Sequence, residues 1–186
     1  MDRIADFLFE VKTLKELSRA GYAFLGTGSE SVAEHSFMTA VIAFTMSRME
    51  PDVNGGRLVA MALVHDFSEA RTGDLNYVQK RYVKVMEQKA MDDLTSGLAF
   101  GGDLLDLMEE FNRGETLEAM LANDADQISF VMELKKNSDN GATSPRKWLP
   151  HVLARLKTRT GKTLAEAVMS SNWDHWWQKN YTEQGL

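Results

Sequence analysis

Apolar residues along this chain recur at intervals of three and four and rarely alternate, so the pattern predicts helices throughout and no sheet. Ile4, Phe7, Leu8, Val11, Leu14 and Leu17 share one face, which predicts an amphipathic helix over residues 2–19. Residues 21–30 hold three glycines but also Tyr22, Phe24 and Leu25, the composition of an ordered loop. Ser31-Val32-Ala33-Glu34 has the Ser-x-x-Glu form of a capping box and opens a helix reaching about Met49. On that helix His35 shares the buried face of Val32, Met38, Thr39 and Ile42. A turn over 51–56 leads into an almost wholly apolar helix from about Arg57, which delivers His65 and Asp66 and breaks at Thr72-Gly73.

Helical spacing resumes over 77–97, where Lys80, Arg81 and Lys84 form a basic patch. A short acidic helix is expected over 103–112 and a long helix over 116–137. After a polar loop, 138–144, two more come over 145–159 and 163–180, the second opening on another box-like pair, Thr163 and Glu166. The expected architecture is an all-α, compact bundle of six or more helices without internal repeats. The expected organisation is a single domain over 1–186, with a motif core at about 30–130 and C-terminal helices over 145–184 packed on it. Three of the four tryptophans crowd into residues 172–177, which is read as a packed C-terminal lid because no basic groove accompanies them.

A chain of 186 residues suits one domain able to bury roughly 70% of its unfolded surface. With 21 Lys+Arg against 27 Asp+Glu, the net charge of −6 weighs against a nucleic acid polymer or an anionic membrane as partner. Small phosphorylated ligands, which need only a local cationic spot, stay open. The absence of cysteine removes thiolate ligands and thiol nucleophiles, so any metal must take His and carboxylate donors. No signal-peptide core is present and no apolar run approaches about 18 residues, so a cytoplasmic protein is expected.

The chemistry concentrates around His65-Asp66. Glu69 lies three and four residues on, projecting from the face that both share, and Asp74 comes just past the break. Carboxylates and an imidazole this close repel or strand one another unless a cation or substrate reconciles them, which points to a metal. His35, His65 and Asp66 supply three ligands, and the Asp-Ala-Asp at 124–126 is the source of a fourth. Asp124 shares a face with Leu117, Met120, Leu121, Ile128 and Val131, and Asp126 with Ala119, Ala122 and Phe130. Periodicity slightly favours Asp124 without deciding. His151 and His175 lack a carboxylate at ligand spacing and are read as structural or surface residues.

Taken in order, His35, His65-Asp66 and the late Asp resemble the H…HD…D signature of the HD-domain metal-dependent phosphohydrolases. The stretches ESVAEHS (30–36) and HDFSEARTGDL (65–75) are similar to the 5'-deoxynucleotidase subgroup, and the resemblance spans about residues 10–135. It implies an HD-domain bundle that hydrolyses 5'-deoxynucleoside monophosphates to deoxynucleoside and phosphate, and by analogy a homodimer. It also implies one divalent ion (Co, Mn, Mg, Fe, Ni or Zn) held by His35, His65, Asp66 and Asp126, the last being the Asp of an Ala-Asp pair with Ile128 two residues on. The resemblance puts Glu69 and Asp74 near the water and the leaving group. Glu69 takes the catalytic work, and Asp74 assists it or holds the sugar. A phosphate also needs cations, for which Arg19, Arg71 and Lys80 are the candidates.

The chain departs from the subgroup in places. Gly28 stands where an Arg is common, two residues before Glu30, and Asn76-Tyr77 replace the prolines that often come after Gly-Asp-Leu. Arg19-Ala20-Gly21-Tyr22 is closer to the Arg-x-Gly-aromatic form of the eukaryotic and archaeal relatives. Three alternatives compete. A dinuclear phosphodiesterase needs extra histidines, and residues 67–125 contain none. A non-catalytic, metal-stabilised module binding a nucleotide or partner has no use for both Glu69 and Asp74. An HD-domain phosphohydrolase acting on another phosphorylated small molecule keeps the same chemistry.

Overall fold

The computed structural model describes residues 1–183, and the all-α expectation holds: their only β pairing is an isolated bridge between Ser18 and Ser31. That bridge explains the first departure from periodicity. Helix α1 covers only Asp2–Lys12 and tightens into a 3₁₀ turn at Thr13–Lys15, not a helix to residue 19. Beyond it the backbone pairs with the segment before the next long helix, Arg19 N–H donating to Glu30 O and Val32 N–H to Leu17 O, both at 2.9 Å. Those bonds satisfy groups that a longer helix would have paired internally. The glycine-bearing stretch then contains a short helix, α2 (Tyr22–Leu25), closed by Gly26 at φ 72°.

Helix α3 (Val32–Met49) starts as expected, with the Ser31 and Glu34 side chains each accepting from the other's backbone N–H. Helix α4 (Gly55–Val64) begins two residues before Arg57 because the Asn54 side chain caps it, accepting from Arg57 N–H. A tight turn and one helical turn, α5 (Glu69–Thr72), carry the chain to Gly73 at φ 74°. The helix expected over 77–97 is reduced to a 3₁₀ turn at Gln79–Arg81 and a later helix, α6 (Glu87–Thr95). Val78, Tyr82, Val83 and Met86 are exposed, so helical spacing found no core to bury against, and packing rather than spacing supplies most of a helix's stability.

Helix α7 (Gly101–Arg113) is succeeded by α8 (Leu117–Asp139), α9 (Ser144–Leu153), α10 (Arg159–Ser170) and α11 (His175–Glu183). The long α8 is the axis: α3, α4, α7, α9 and α10 all pack on it. Met46, Leu58, Met61, Leu121 and Ile128 are fully or nearly fully buried where α3, α4 and α8 meet, each such side chain stabilising the fold by about 1.5–3 kcal/mol. Phe7, Leu14, Val32, Val64 and Leu94 form a second cluster, and Leu25, Val131, Leu134, Leu149 and Val152 a third.

Two expectations at the C-terminal end are corrected. Thr163 is an exposed position inside α10, and the true cap is Thr158, whose Oγ1 accepts from Gly161 N–H at 2.8 Å. Asp124 decides this. Its carboxylate, 1% exposed, takes Lys157 N–H and Thr158 N–H at 2.8 Å and Thr158 Oγ1–H at 2.7 Å, pinning the start of α10 to α8. Gly161 sits so close that a Cβ there would collide with the Asp124 carboxylate. The tryptophans form no packed lid either, since Trp176 is 72% exposed and Trp173 and Trp177 about two-fifths exposed. The expected C-terminal helices, 145–184, and domain, 1–186, run past Glu183, and residues 184–186 lie outside the described residues.

Replacing Asp124 by Ala leaves three donors without their acceptor and is expected to lower unfolding stability by about 3 kcal/mol in chemical denaturation. Thr163→Ala, at the cap that is not used, is expected to change it by less than about 0.5 kcal/mol.

Candidate metal centre and active site

The three central helices bring their polar residues to one buried point. His35, in the first turn of α3, is fully buried, and its Nε2 lies 3.0 Å from Asp126 Oδ1 on α8. Its Nδ1 lies 3.2 Å from Ser129 Oγ, one turn further along α8. His65 comes directly after α4, and its Nδ1–H donates to Ala62 O at 2.8 Å. That bond commits Nδ1 to the backbone and leaves Nε2 facing Asp126 Oδ1, 3.9 Å away. His65 Nε2 is also 3.2 Å from Asp66 Oδ2 but not directed at it, so the buried nitrogen has no hydrogen-bond partner among the described residues. One ligand atom each from His35, His65 and Asp126 fall within 4.8 Å of one another, a set that could hold a metal ion. Asp66 stands beside them, 3.8 Å from His35 Nε2. An all-N/O donor set, with both rings fixed from behind by hydrogen bonds and one buried nitrogen left unpartnered, fits a divalent cation.

Electrostatics agree. Burial lowers the His35 pKa and keeps the ring neutral, against its hydrogen bond to Asp126. Burial would lower His65 too, but the charges of Asp66 and Asp126 outweigh it and push it up to about 9. Burial would raise both of those carboxyls, yet the surrounding imidazoles and Arg19 hold them below their ordinary range. The site is therefore built to concentrate negative charge around donor nitrogens. Glu69 is pushed up to about 9 by burial, then by the charges of Asp66 and Asp74, and its buried Oε2 has no hydrogen-bond partner among the described residues.

The cluster opens onto a cavity of about 390 Å³ bordered by Arg19, Asp66, Glu69, Asp74, Lys80 and Asp126. Arg19 is delivered there by the Ser18–Ser31 bridge. Its Nη1 lies 3.4 Å from Asp66 Oδ2 and its Nε 3.9 Å from Glu30 Oε2. Asp74 Oδ2 accepts from Ala20 N–H at 2.5 Å, which fastens the segment after Gly73 to the same loop. Arg71 is not brought to the cavity: its guanidinium pairs with Glu10 and lies 3.7 Å from Asp93, on the other side of α5's single turn. Gly28, where an Arg is common in the resembling subgroup, has φ 78°, and a Cβ there would lie 3.0 Å from Tyr22 Cε1. The tyrosine ring occupies the space a longer side chain would need.

Other wall residues carried little signal in the sequence. Tyr22 and Phe24 read as the apolar residues of an ordered loop, and Phe130 and Trp148 carried no mark of a site. Arg155 comes from the turn after α9, 29 residues after Asp126, with nothing local to mark it. Gln127 had one hint, its place directly after Asp126, and its Nε2–H donates to Asp126 Oδ2 at 2.7 Å.

Fold and site together define an all-α protein built around a histidine–carboxylate centre, the arrangement of a metal-dependent hydrolase. A family model described as HD domain matches residues 11–169, and the chain belongs to the HD-domain family. It is 26% identical over 145 residues to a 5'-deoxynucleotidase of Dictyostelium discoideum, covering 72% of this chain and 76% of that one. To the 5'-deoxynucleotidase HDDC2 of Homo sapiens it is 28% identical over 142 residues, covering 73% and 69%. Among solved structures, a conserved hypothetical protein from Pyrococcus furiosus superposes with a TM-score of 0.75 at 25% identity, covering 88% of this chain and 98% of that one.

The Glu30 carboxyl, buried and facing Arg19, Glu133, Glu34 and Lys136, is raised from 4.5 to about 7, with burial the largest cause. Above pH 4.5 the unfolded chain loses this proton while the folded chain keeps it until about 7, so Glu30 makes stability fall between those values. Glu30→Gln is expected to remove that part of the slope, measured as the difference in denaturation midpoint between variant and wild type at pH 5 and pH 7.5.

Proposed function

We propose that this chain is a metal-dependent phosphomonoesterase that hydrolyses 5'-deoxynucleoside monophosphates to deoxynucleoside and phosphate. The observation that carries the reading is the cluster of His35, His65 and Asp126, with Asp66 beside it, whose two aspartates border a cavity that Arg19, Glu69 and Asp74 also line. His35, His65, Asp66 and Asp126 would hold one divalent ion. Such an ion, when bound, polarises a phosphoryl oxygen and lowers the pKa of water. Its nature (Co, Mn, Mg, Fe, Ni or Zn) is left to availability, since this donor set suits several of them.

The chain's own residues do the rest. Glu69, on the cavity wall with an unpartnered buried oxygen, takes or gives the proton at the attacking water or the departing ribose oxygen. Asp74, held by Ala20 N–H, keeps one carboxylate oxygen for the sugar. Arg19 and Lys80 offset phosphate charge, and the likeness to the 5'-deoxynucleotidases supports the substrate class. The domain is taken to include all of residues 1–186. The enzyme works in the cytoplasm, and no helix of the described residues is long and apolar enough to cross a membrane. It works as a homodimer whose interface includes Phe37, Val41 and Phe44, an exposed apolar stripe at i, i+4, i+7 on α3 with Phe37 63% exposed.

Phosphate release from dAMP and dTMP, compared with AMP and UMP, with Co²⁺, Mn²⁺ or Mg²⁺ present tests the chemistry. Asp66→Ala is expected to abolish it, and Glu69→Gln to lower kcat by about 10²–10⁴-fold while metal is still taken up. No turnover by the wild type on any of these esters overturns the reading, and tight nucleotide binding without release replaces it with the non-catalytic module. Phe44→Glu is expected to turn a dimer into a monomer in light scattering, and an unchanged mass removes α3 from the interface.

A further inference from the structure

The metal cluster and its carboxylates account for only one end of the cavity. At the other, Phe24 of α2, Phe130 of α8 and Trp148 of α9 meet. The rings of Phe24 and Trp148 are stacked at 6.2 Å and 28°, and Phe130 meets Trp148 edge-on at 6.0 Å. All three border the cavity and none is fully buried, so aromatic surface faces an otherwise polar space. Phe130 lies one turn beyond Asp126 on the same helix face, a rise of about 6 Å. A molecule whose phosphate sits at Arg19 and the ion that Asp126 would help to hold therefore places the group one sugar's length from that phosphate towards this wall.

Arg155 stands at the same wall. Its Nη1–H donates to Gln127 Oε1 at 3.3 Å, and no carboxylate among the described residues pairs with its guanidinium. Its backbone is fixed on both sides, Arg155 N–H donating to Val152 O and Asp124 binding the N–H groups of Lys157 and Thr158. The backbone is fixed in this way although the Arg155 side chain is exposed. Here a planar fork of donors, without a carboxylate partner, is held at the edge of an aromatic platform. That combination suits a flat heterocycle presenting acceptors along one edge.

We infer that this end of the cavity is a nucleobase subsite, in which the base rests on the Phe24–Phe130–Trp148 wall and Arg155, steadied by Gln127, reads its polar edge. The inference rests on the deoxynucleotidase reading and adds to it a base preference. Arginine's fork matches the paired O6 and N7 acceptors of guanine, whereas adenine sets a donor beside N7. Guanine is therefore the favoured base.

Deoxyguanosine and deoxyadenosine, which carry no phosphate to hydrolyse, separate this subsite from the chemistry. Calorimetric titration of the purified protein is expected to show tighter binding of deoxyguanosine. Arg155→Ala should weaken that binding about tenfold, and Arg155→Lys should not restore it, because an ammonium lacks the fork. In turnover, Arg155→Ala should lower kcat/KM for dGMP about tenfold more than for deoxyribose 5-phosphate, which has no base. Phe24→Ala should weaken both nucleosides alike. Unchanged deoxyguanosine affinity in Arg155→Ala overturns the inference. So does an equal loss on dGMP and deoxyribose 5-phosphate, which would make Arg155 a phosphate contact. Failure of the hydrolase reading appears separately, as no phosphate release from either ester, while nucleoside binding still judges the subsite.

Discussion

A half-buried carboxylate held against two buried imidazoles governs this structure. Asp126 comes from the central helix, His35 and His65 from the two helices packed on it, and each ring is held from behind, by Ser129 and by the Ala62 carbonyl. Charged and polar groups cost free energy when buried unless something pairs with them. The helices can approach closely only because their polar residues meet at one place and their apolar ones everywhere else. The same closeness makes the site directional: with Nδ1 of His65 committed to the backbone, Nε2 can only face inward.

The two aspartates of the 124–126 stretch divide the labour on α8. Both point into the protein, which is why periodicity could not choose between them. Asp126 faces the histidines, while Asp124 turns towards the C-terminal segment and fastens α10 through three hydrogen bonds. One helix thus supplies both the carboxylate that faces the histidines and the anchor for the segment that brings Arg155 to the cavity.

Much of the centre was legible locally. The Ser31–Glu34 box and the glycine stop after Thr72 each depend on residues close in sequence and appear as expected, whereas the apolar helix expected to run from about Arg57 to Thr72 stops at Val64, so that a turn, not a helix, carries His65 and Asp66. What misled was pattern without context. The spacing over 77–86 is helical, but Val78, Tyr82, Val83 and Met86 stay exposed. Thr163 and Glu166 resemble a cap, but a buried carboxylate already fixes the helix start five residues earlier, at Thr158. Arg71 has the charge for a phosphate, but Glu10, from the first helix, claims it.

By itself, the sequence determined the all-α class, the absence of thiolate chemistry and the order of histidines and carboxylates that marks the HD-domain family. These stem from composition, from helical periodicity and from motifs whose members lie within one or two turns of each other. Only the tertiary structure decided which inward aspartate meets the histidines, which cations reach the cavity, and that an aromatic wall with Arg155 closes its far end. Those choices depend on how helices far apart in the chain cross. A side chain's partner across such a crossing is set by packing geometry, which spacing along one helix does not encode.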